Sequence, residues 1–184
     1  MRTKAAAESV SKTRQMTYIA IATAVTCILA PLSVNIPISP VPISLTIFAL
    51  LMGAYVLGPY GAVASFLLYA LIGLVGVPVF SKFQGGIGVL FGPTGGYIIG
   101  FVFVSFFAGL FIEKFESKRL MHAVGMIIGI LFCYGFGTAW LALQAGLGFK
   151  EALWAGVIPF IPADAVKMAV ALSIGPKIRR LVLR

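Results

Sequence analysis

LTIFALLMGAYVLGPYGAVASFLLYALIGLVG, residues 45–76, carries no formal charge and is interrupted once, by GPYG. Proline removes a backbone donor and glycine readily ends a helix, so Gly58–Gly61 predicts a tight turn. The apolar segments on either side, Leu45–Leu57 and Ala62–Gly76, predict two helices with no polar face. Helices of this kind are typical of a protein that resides in a bilayer.

The rest of the chain has the same apolar character. Of its 184 residues, 60% are hydrophobic and 10% are charged, whereas about a quarter of a soluble domain is charged. Residues 15–81, 83–112 and 120–149 contain no Asp, Glu, Lys or Arg. At roughly 20 residues for each spanning helix, six helices use about 120 residues. The sequence therefore predicts an all-α membrane protein, a compact bundle of six transmembrane helices with irregular Gly/Pro-rich outer loops.

Proline, glycine and charge mark the expected boundaries, because periodicity is weak where every face is apolar. Helices are expected at about residues 16–30, 45–57, 62–76, 94–112, 121–145 and 162–183, and a short interfacial helix at residues 148–156. Two segments are too rich in Pro or Gly for a regular span: Pro31–Ser44, the proline loop, and Val77–Gly96, the glycine-rich segment. Residues 16–184 form one predicted domain behind a basic tail at residues 1–15.

The basic residues predict the orientation in the membrane. In a six-helix topology, most of the 14 Lys and Arg residues lie in the two terminal segments and in the loop at residues 113–119. Lys82 and Lys150 lie on the other side, and Lys167 falls within the last helix. Cytoplasmic loops are rich in Lys and Arg, so both termini are predicted to be cytoplasmic. The proline loop and the glycine-rich segment then meet on the outer face, where they can enclose a cavity.

Asp164 and Lys167 are the most informative pair of residues in the sequence. They lie three positions apart in IPADAVKMAV and therefore share one face of a helix. Either charge alone at the bilayer centre would cost about 2.5–3.5 kcal/mol. One interpretation is structural, with Asp164 favoured by the helix dipole and neutralised by Lys167. The other is a polar anchor at the floor of an outward pocket, which suits a small ligand with an N–H group and a carbonyl or carboxylate.

The glycine-rich segment supplies further candidates for ligand contact. Gly85 and Gly86 allow backbone amides to approach a ligand closely. Gln84 can donate and accept hydrogen bonds, and Lys82 can receive an anion. An ordinary loop with turn glycines explains the same residues equally well. Candidate aromatic walls near the outer segments are Tyr97, Phe80, Phe83, Phe91, Trp140 and Trp154.

Several classes of function are excluded by what the sequence lacks. GGIGVLFGPTGG has neither the GK[ST] ending of a P-loop nor the G-x-G-x-x-G spacing. His122 is the single histidine, and Cys27 and Cys133 lie in separate apolar segments. The sequence therefore predicts no nucleotide site, no catalytic residues, no metal site and no cofactor, and the protein is expected not to be an enzyme.

Small residues four positions apart mark places where helices approach closely. Gly96 and Gly100, and likewise Gly125 and Gly129, are expected to serve packing inside the bundle. The pair Ala20 and Ala24 lies in the first helix, just beyond the basic tail, where a partner protein can dock.

Four stretches of the sequence together carry a family resemblance. They are VPISLTIFALLMGAYVLGPYGA, GLVGVPVF, FQGGIGVLFGPTGGYIIGF and GVIPFIPADAVKMAVA, at residues 41–62, 73–80, 83–101 and 156–171. In this order they resemble the BioY family, the biotin-binding S components of energy-coupling factor transporters. The resemblance extends from about residue 16 to residue 180, and GPTGGY and P-F-x-P-x-D-x-x-K are its most specific parts.

The resemblance implies a high-affinity biotin-binding subunit in a prokaryotic cell membrane, working with a transmembrane coupling protein and two ATPase subunits. It implies that Asp164 and Lys167 bind polar groups of biotin and that the loop around Gln84, Gly85 and Gly86 closes over the ligand. Ala20 and Ala24 would form the surface that meets the coupling protein.

Two other functions fit the residues without the resemblance. One is a self-sufficient ion-coupled carrier in which Asp164 relays a proton. A single intramembrane acid and no evident inverted repeat give this alternative little coupling machinery. The other is a membrane scaffold that binds no small molecule.

Overall fold

The computed structural model describes residues 4–37 and 39–182. Residues 1–3 of the predicted tail, Ile38 of the proline loop, and Leu183 and Arg184 lie outside the described residues. The helices are α1 (Lys4–Leu29), α2 (Thr46–Leu74), α3 (Gly95–Lys114), α4 (Arg119–Ala145), α5 (Phe149–Gly156) and α6 (Phe160–Val182).

Helix α2 is interrupted in its middle. Gly58 has φ 68° and ψ −172°, outside the helical region, and Pro59 follows it. In a straight helix Thr46 and Tyr69 would be about 35 Å apart, yet both line the same cavity. The chain therefore folds back at Gly58, within the four residues where the sequence predicts a turn, and α2 consists of two helical halves.

Apolar helices of spanning length identify a multi-pass membrane protein. Within the described residues, α2, α3 and α4 are each long and apolar enough to cross a membrane. Helices α5 and α6 meet the same criterion only as a pair, which is bent by 43°. This count takes α2 as one helix, although the chain folds back within it.

Two helix boundaries differ from the prediction. Helix α1 begins at Lys4 rather than near residue 16, because the predicted tail is rich in Ala, Lys, Glu and Arg, which favour helix even when polar. Helix α6 begins at Phe160 rather than at Pro162, since proline is tolerated in the first turn, where its missing N–H has no partner to lose.

The proline loop and the glycine-rich segment lie side by side at one end of the bundle. In the proline loop, β1 (Ser33–Val34) pairs antiparallel with β2 (Ile43–Ser44), a short ladder that the sequence does not predict. The glycine-rich segment contains two short 3-10 turns, Ser81–Phe83 and Ile87–Val89. The Lys82 N–H bridges the two segments, because it donates to Ser33 Oγ at 3.0 Å and to the Pro31 carbonyl at 3.3 Å.

Helices α3 and α4 make close contact through glycine. A Cβ atom added at Gly100 would overlap Cys133, and one added at Gly129 would overlap the backbone of Val104. Gly96 and Gly125 are equally constrained by α4 and α3 side chains. The two G-x-x-x-G pairs therefore serve packing within the bundle, as predicted.

The opposite end of the bundle is closed by polar contacts around Tyr55. Its hydroxyl lies 3.3 Å from His122 Nδ1, and its ring packs on Gly175 so tightly that a Cβ there would overlap it. Arg179 donates to the Tyr55 carbonyl at 2.9 Å. Arg14 of α1 donates to the Val182 carbonyl of α6 at 2.8 Å. We call this region the closed end.

Candidate ligand-binding site

A cavity of about 510 Å³ lies at the end of the bundle that carries the two irregular segments. The proline loop and the glycine-rich segment form its rim, and residues of α2, α3, α4 and α6 form the rest of its lining. A cavity of this size suits a small organic molecule. Its polar and charged lining comprises Ser44, Thr46, Ser81, Lys82, Gln84, Thr94, Tyr134, Asp164 and Lys167.

Asp164 and Lys167 form an ion pair at the cavity. Lys167 Nζ lies 2.7 Å from Asp164 Oδ1, and the two residues are 8% and 3% exposed. Asp164 stands in the first turns of α6, where the helix dipole favours a negative charge. Both interpretations made from the sequence are therefore compatible with the pair, but its place in the cavity lining makes it available to a ligand.

Tyr134 holds the second oxygen of the same carboxylate. Its hydroxyl donates to Asp164 Oδ2 at 2.6 Å, from α4 across to α6. Tyr134 could not be predicted as part of the site, because nothing in the local pattern of α4 relates it to a residue 30 positions later. A tyrosine amid the apolar run ILFCYGFG was the available signal, since a buried hydroxyl usually needs a partner.

The pair and Tyr134 leave hydrogen-bonding capacity on the cavity side. An ammonium has three N–H donors, and Lys167 uses one of them on Asp164. A carboxylate has about four acceptor positions, of which Asp164 uses two. The apolar lining includes the rings of Phe80 and Phe160. The site therefore suits a ligand with N–H and carbonyl groups at one end and an apolar body.

The structure brings most of the predicted ligand-contacting residues together. Lys82, Gln84, Gly85 and Tyr97 all line the cavity with the ion pair. Gly86 is not among the lining residues, and its N–H donates to the Gly73 carbonyl at 2.7 Å.

The aromatic side chains near the rim divide into two groups. The rings of Phe80 and Tyr97 are buried at the cavity, and the Tyr97 hydroxyl donates to the Gly156 carbonyl at 2.7 Å. Trp140 does not line the cavity but steadies the glycine-rich segment, since its Nε1 donates to the Gly92 carbonyl at 2.9 Å. The other three predicted wall residues are exposed and do not line the cavity; they are Phe83, Phe91 and Trp154.

The predicted docking pair lies on the free side of α1. Ala20 and Ala24 are both exposed. Thr23 and Thr26 are buried, and Thr23 Oγ1 contacts Ser65 of α2. Helix α1 therefore packs on α2 through its threonines and leaves the alanine pair accessible.

The helical bundle and its cavity with a charged floor define a multi-pass membrane protein of the substrate-binding class. Comparison with known sequences then places it more closely: the chain belongs to the BioY family, whose model matches residues 1–184.

Individual relatives agree with this assignment. A protein of Pyrococcus horikoshii named probable biotin transporter BioY is 38% identical over 91% of this chain and 98% of its own length. The biotin transporter BioY of Thermotoga maritima is 37% identical over 80% of this chain and 86% of its own. A crystal structure of the S-component for biotin from an ECF-type ABC transporter superposes with a TM-score of 0.85. It is 29% identical and covers 92% of this chain and 93% of its own.

Proposed function

We propose that this chain is the biotin-binding S component of an ATP-driven importer of the energy-coupling factor type. It captures biotin in the cavity and delivers it through a partner module. The observation that carries the proposal is the buried ion pair of Asp164 and Lys167, held by Tyr134 and facing a cavity of about 510 Å³ in a member of the BioY family.

Biotin has the chemistry that this cavity complements. Its ureido ring offers two N–H donors and a carbonyl, and its thiophane ring and valeryl chain offer apolar surface. Asp164 accepts from an N–H, and Lys167 donates to the carbonyl or the carboxylate. The rim contacts the bound vitamin or closes over it. The rim residues that do so are Lys82, Gln84 and Gly85, together with the neighbouring Gly86. Enclosure of this kind is needed if a ligand so small is to bind at nanomolar concentration.

The chain is proposed to cross the membrane six times with both termini in the cytoplasm. The count is supported by the reversal at Gly58, which makes two antiparallel helices of α2, and by the bent pair of α5 and α6. The orientation is supported by the basic residues of the N-terminal segment, the loop between α3 and α4, and the C-terminal segment, none of which lines the cavity within the described residues. Two of them, Arg14 and Arg179, make hydrogen bonds at the closed end.

ATP hydrolysis belongs to other subunits in this proposal. The chain has no nucleotide motif, binds biotin as cargo without a cofactor, and is not an enzyme. Two ATPase subunits hydrolyse ATP, and a transmembrane coupling protein links them to this chain by docking on the exposed Ala20 and Ala24.

The decisive experiment is isothermal titration of the purified chain with biotin, with desthiobiotin and lipoate as comparison ligands. We expect saturable binding of biotin with one site per chain and weaker binding of the other two. The absence of any binding heat with biotin, in detergent and in nanodiscs alike, would refute the proposal. Reconstitution into liposomes separates it from the carrier alternative, because an S component alone should bind biotin without gradient-driven uptake.

A further inference from the structure

The Tyr134 hydroxyl can make one more hydrogen bond than the one it makes with Asp164. Its side chain lines the cavity and is 9% exposed. The hydroxyl hydrogen is committed to Asp164 Oδ2 at 2.6 Å. A phenol oxygen also accepts through its lone pairs, and among residues 4–37 and 39–182 no donor is placed on that oxygen.

The bond to Asp164 also improves this oxygen as an acceptor. A hydroxyl that donates to an ionised group is polarised, and hydrogen bonds in a chain strengthen one another in a medium of low dielectric. The Tyr134 oxygen and the Asp164 carboxylate are therefore adjacent acceptors on one side of the cavity, and the remaining N–H groups of Lys167 are donors beside them.

We propose that Tyr134 is a specificity-determining residue whose hydroxyl oxygen accepts a hydrogen bond from one of the two ureido N–H groups of biotin. The inference rests on the proposed function and refines it. The site reads the donor–acceptor–donor edge of a cyclic urea, with Tyr134 and Asp164 as acceptors and Lys167 as donor. A ligand that presents a carbonyl without flanking N–H groups binds more weakly, because it offers no N–H to the Tyr134 oxygen or to the free acceptor positions of Asp164.

The test compares the parent chain with Tyr134→Phe, using biotin and two analogues methylated at one or the other ureido nitrogen. The parent chain should discriminate against both analogues. In Tyr134→Phe, affinity for biotin should fall about tenfold, as expected for one lost hydrogen bond. Affinity for one methylated analogue should fall much less, because that analogue already lacks the N–H that Tyr134 accepts. The ratio of biotin affinity to the affinity for this analogue, which we call its discrimination ratio, should therefore shrink about tenfold. Ratios that stay unchanged for both analogues would overturn the inference, because a purely structural tyrosine weakens all three ligands equally.

Tyr97→Phe is the matched control. Tyr97 also lines the cavity and is buried, but its hydroxyl hydrogen goes to the neutral Gly156 carbonyl and not to the ion pair, so its oxygen is neither polarised by a carboxylate nor hydrogen-bonded to Asp164. Tyr97→Phe can change the affinity for all three ligands, but the ratio of biotin affinity to the affinity for each methylated analogue should equal the parent ratio. A ratio that shrinks as much in Tyr97→Phe as in Tyr134→Phe would overturn the assignment to Tyr134.

A spectroscopic measurement on the unsubstituted chain covers the case in which Tyr134→Phe does not fold. In infrared difference spectra of protein with ring-labelled tyrosine, biotin should shift a tyrosine C–O band, and the absence of a shift would overturn the inference. Failure of the proposed function is distinct, since the parent chain would then bind no biotin at all.

Discussion

The sharpest consequence of the site concerns Asp164→Asn. The carboxylate accepts from Lys167 Nζ at 2.7 Å and from the Tyr134 hydroxyl at 2.6 Å, and Asp164 lines the cavity. The amide has nearly the same shape but loses the charge, and it places an NH₂ donor against one of the two existing donors. A hydrogen bond to a charged group contributes about 1.5–3 kcal/mol. Biotin should therefore bind roughly 10- to 150-fold more weakly.

Isothermal titration in nanodiscs measures this loss directly, and Glu116→Gln is the control with the same change of charge. Glu116 pairs with Arg179 at 3.1 Å, far from the cavity lining, and its side chain is 70% exposed. Exposed ion pairs contribute about 0–1 kcal/mol to stability, so this variant should bind biotin within about twofold of the parent. Equal affinity of Asp164→Asn and the parent would refute the reasoning and leave the carboxylate as a partner of Lys167 alone.

Three further predictions concern docking, packing and the rim. Ala20→Leu should leave biotin affinity unchanged but lower the yield of the complex with the coupling protein in co-purification; equal yield would remove the docking surface. Gly175→Ala should cost about 1–3 kcal/mol, because the new methyl group overlaps the Tyr55 ring. Its thermal midpoint should fall below that of Gly135→Ala, where the added methyl meets open space, and equal midpoints would contradict the packing argument. Biotin should slow amide hydrogen exchange in residues 80–91, and identical exchange with and without ligand would show that the rim does not order.

The sequence predicted the features that depend on local chemistry. Gly58 and Pro59 stop a helix wherever they occur, so the reversal in α2 follows from neighbouring residues. Asp164 and Lys167 face the same way because they are three apart on one helix, so their contact was also predictable.

The sequence could not reveal contacts between distant segments. Tyr134 reaches Asp164 from another helix, and that meeting depends on how the G-x-x-x-G pairs set α4 against α3. The same holds for Phe83, whose neighbours in sequence suggest a cavity wall although it is 65% exposed. Its backbone and that of Lys82 have φ of 55° and 64°, a left-handed conformation that no local rule for these residues anticipates.

The contact between Arg14 and the Val182 carbonyl joins positions 168 residues apart. The contact cannot form until the chain has been made as far as Val182, the acceptor residue near the end of α6. During synthesis α1 is made before α6, so Arg14 has no Val182 carbonyl to contact until the last helix is complete. Helix α6 also carries Asp164 and Lys167. A chain that ends before α6 therefore lacks both the hydrogen bond between α1 and α6 and the ion pair of the binding site. Competence to bind is thereby tied to completion of the bundle.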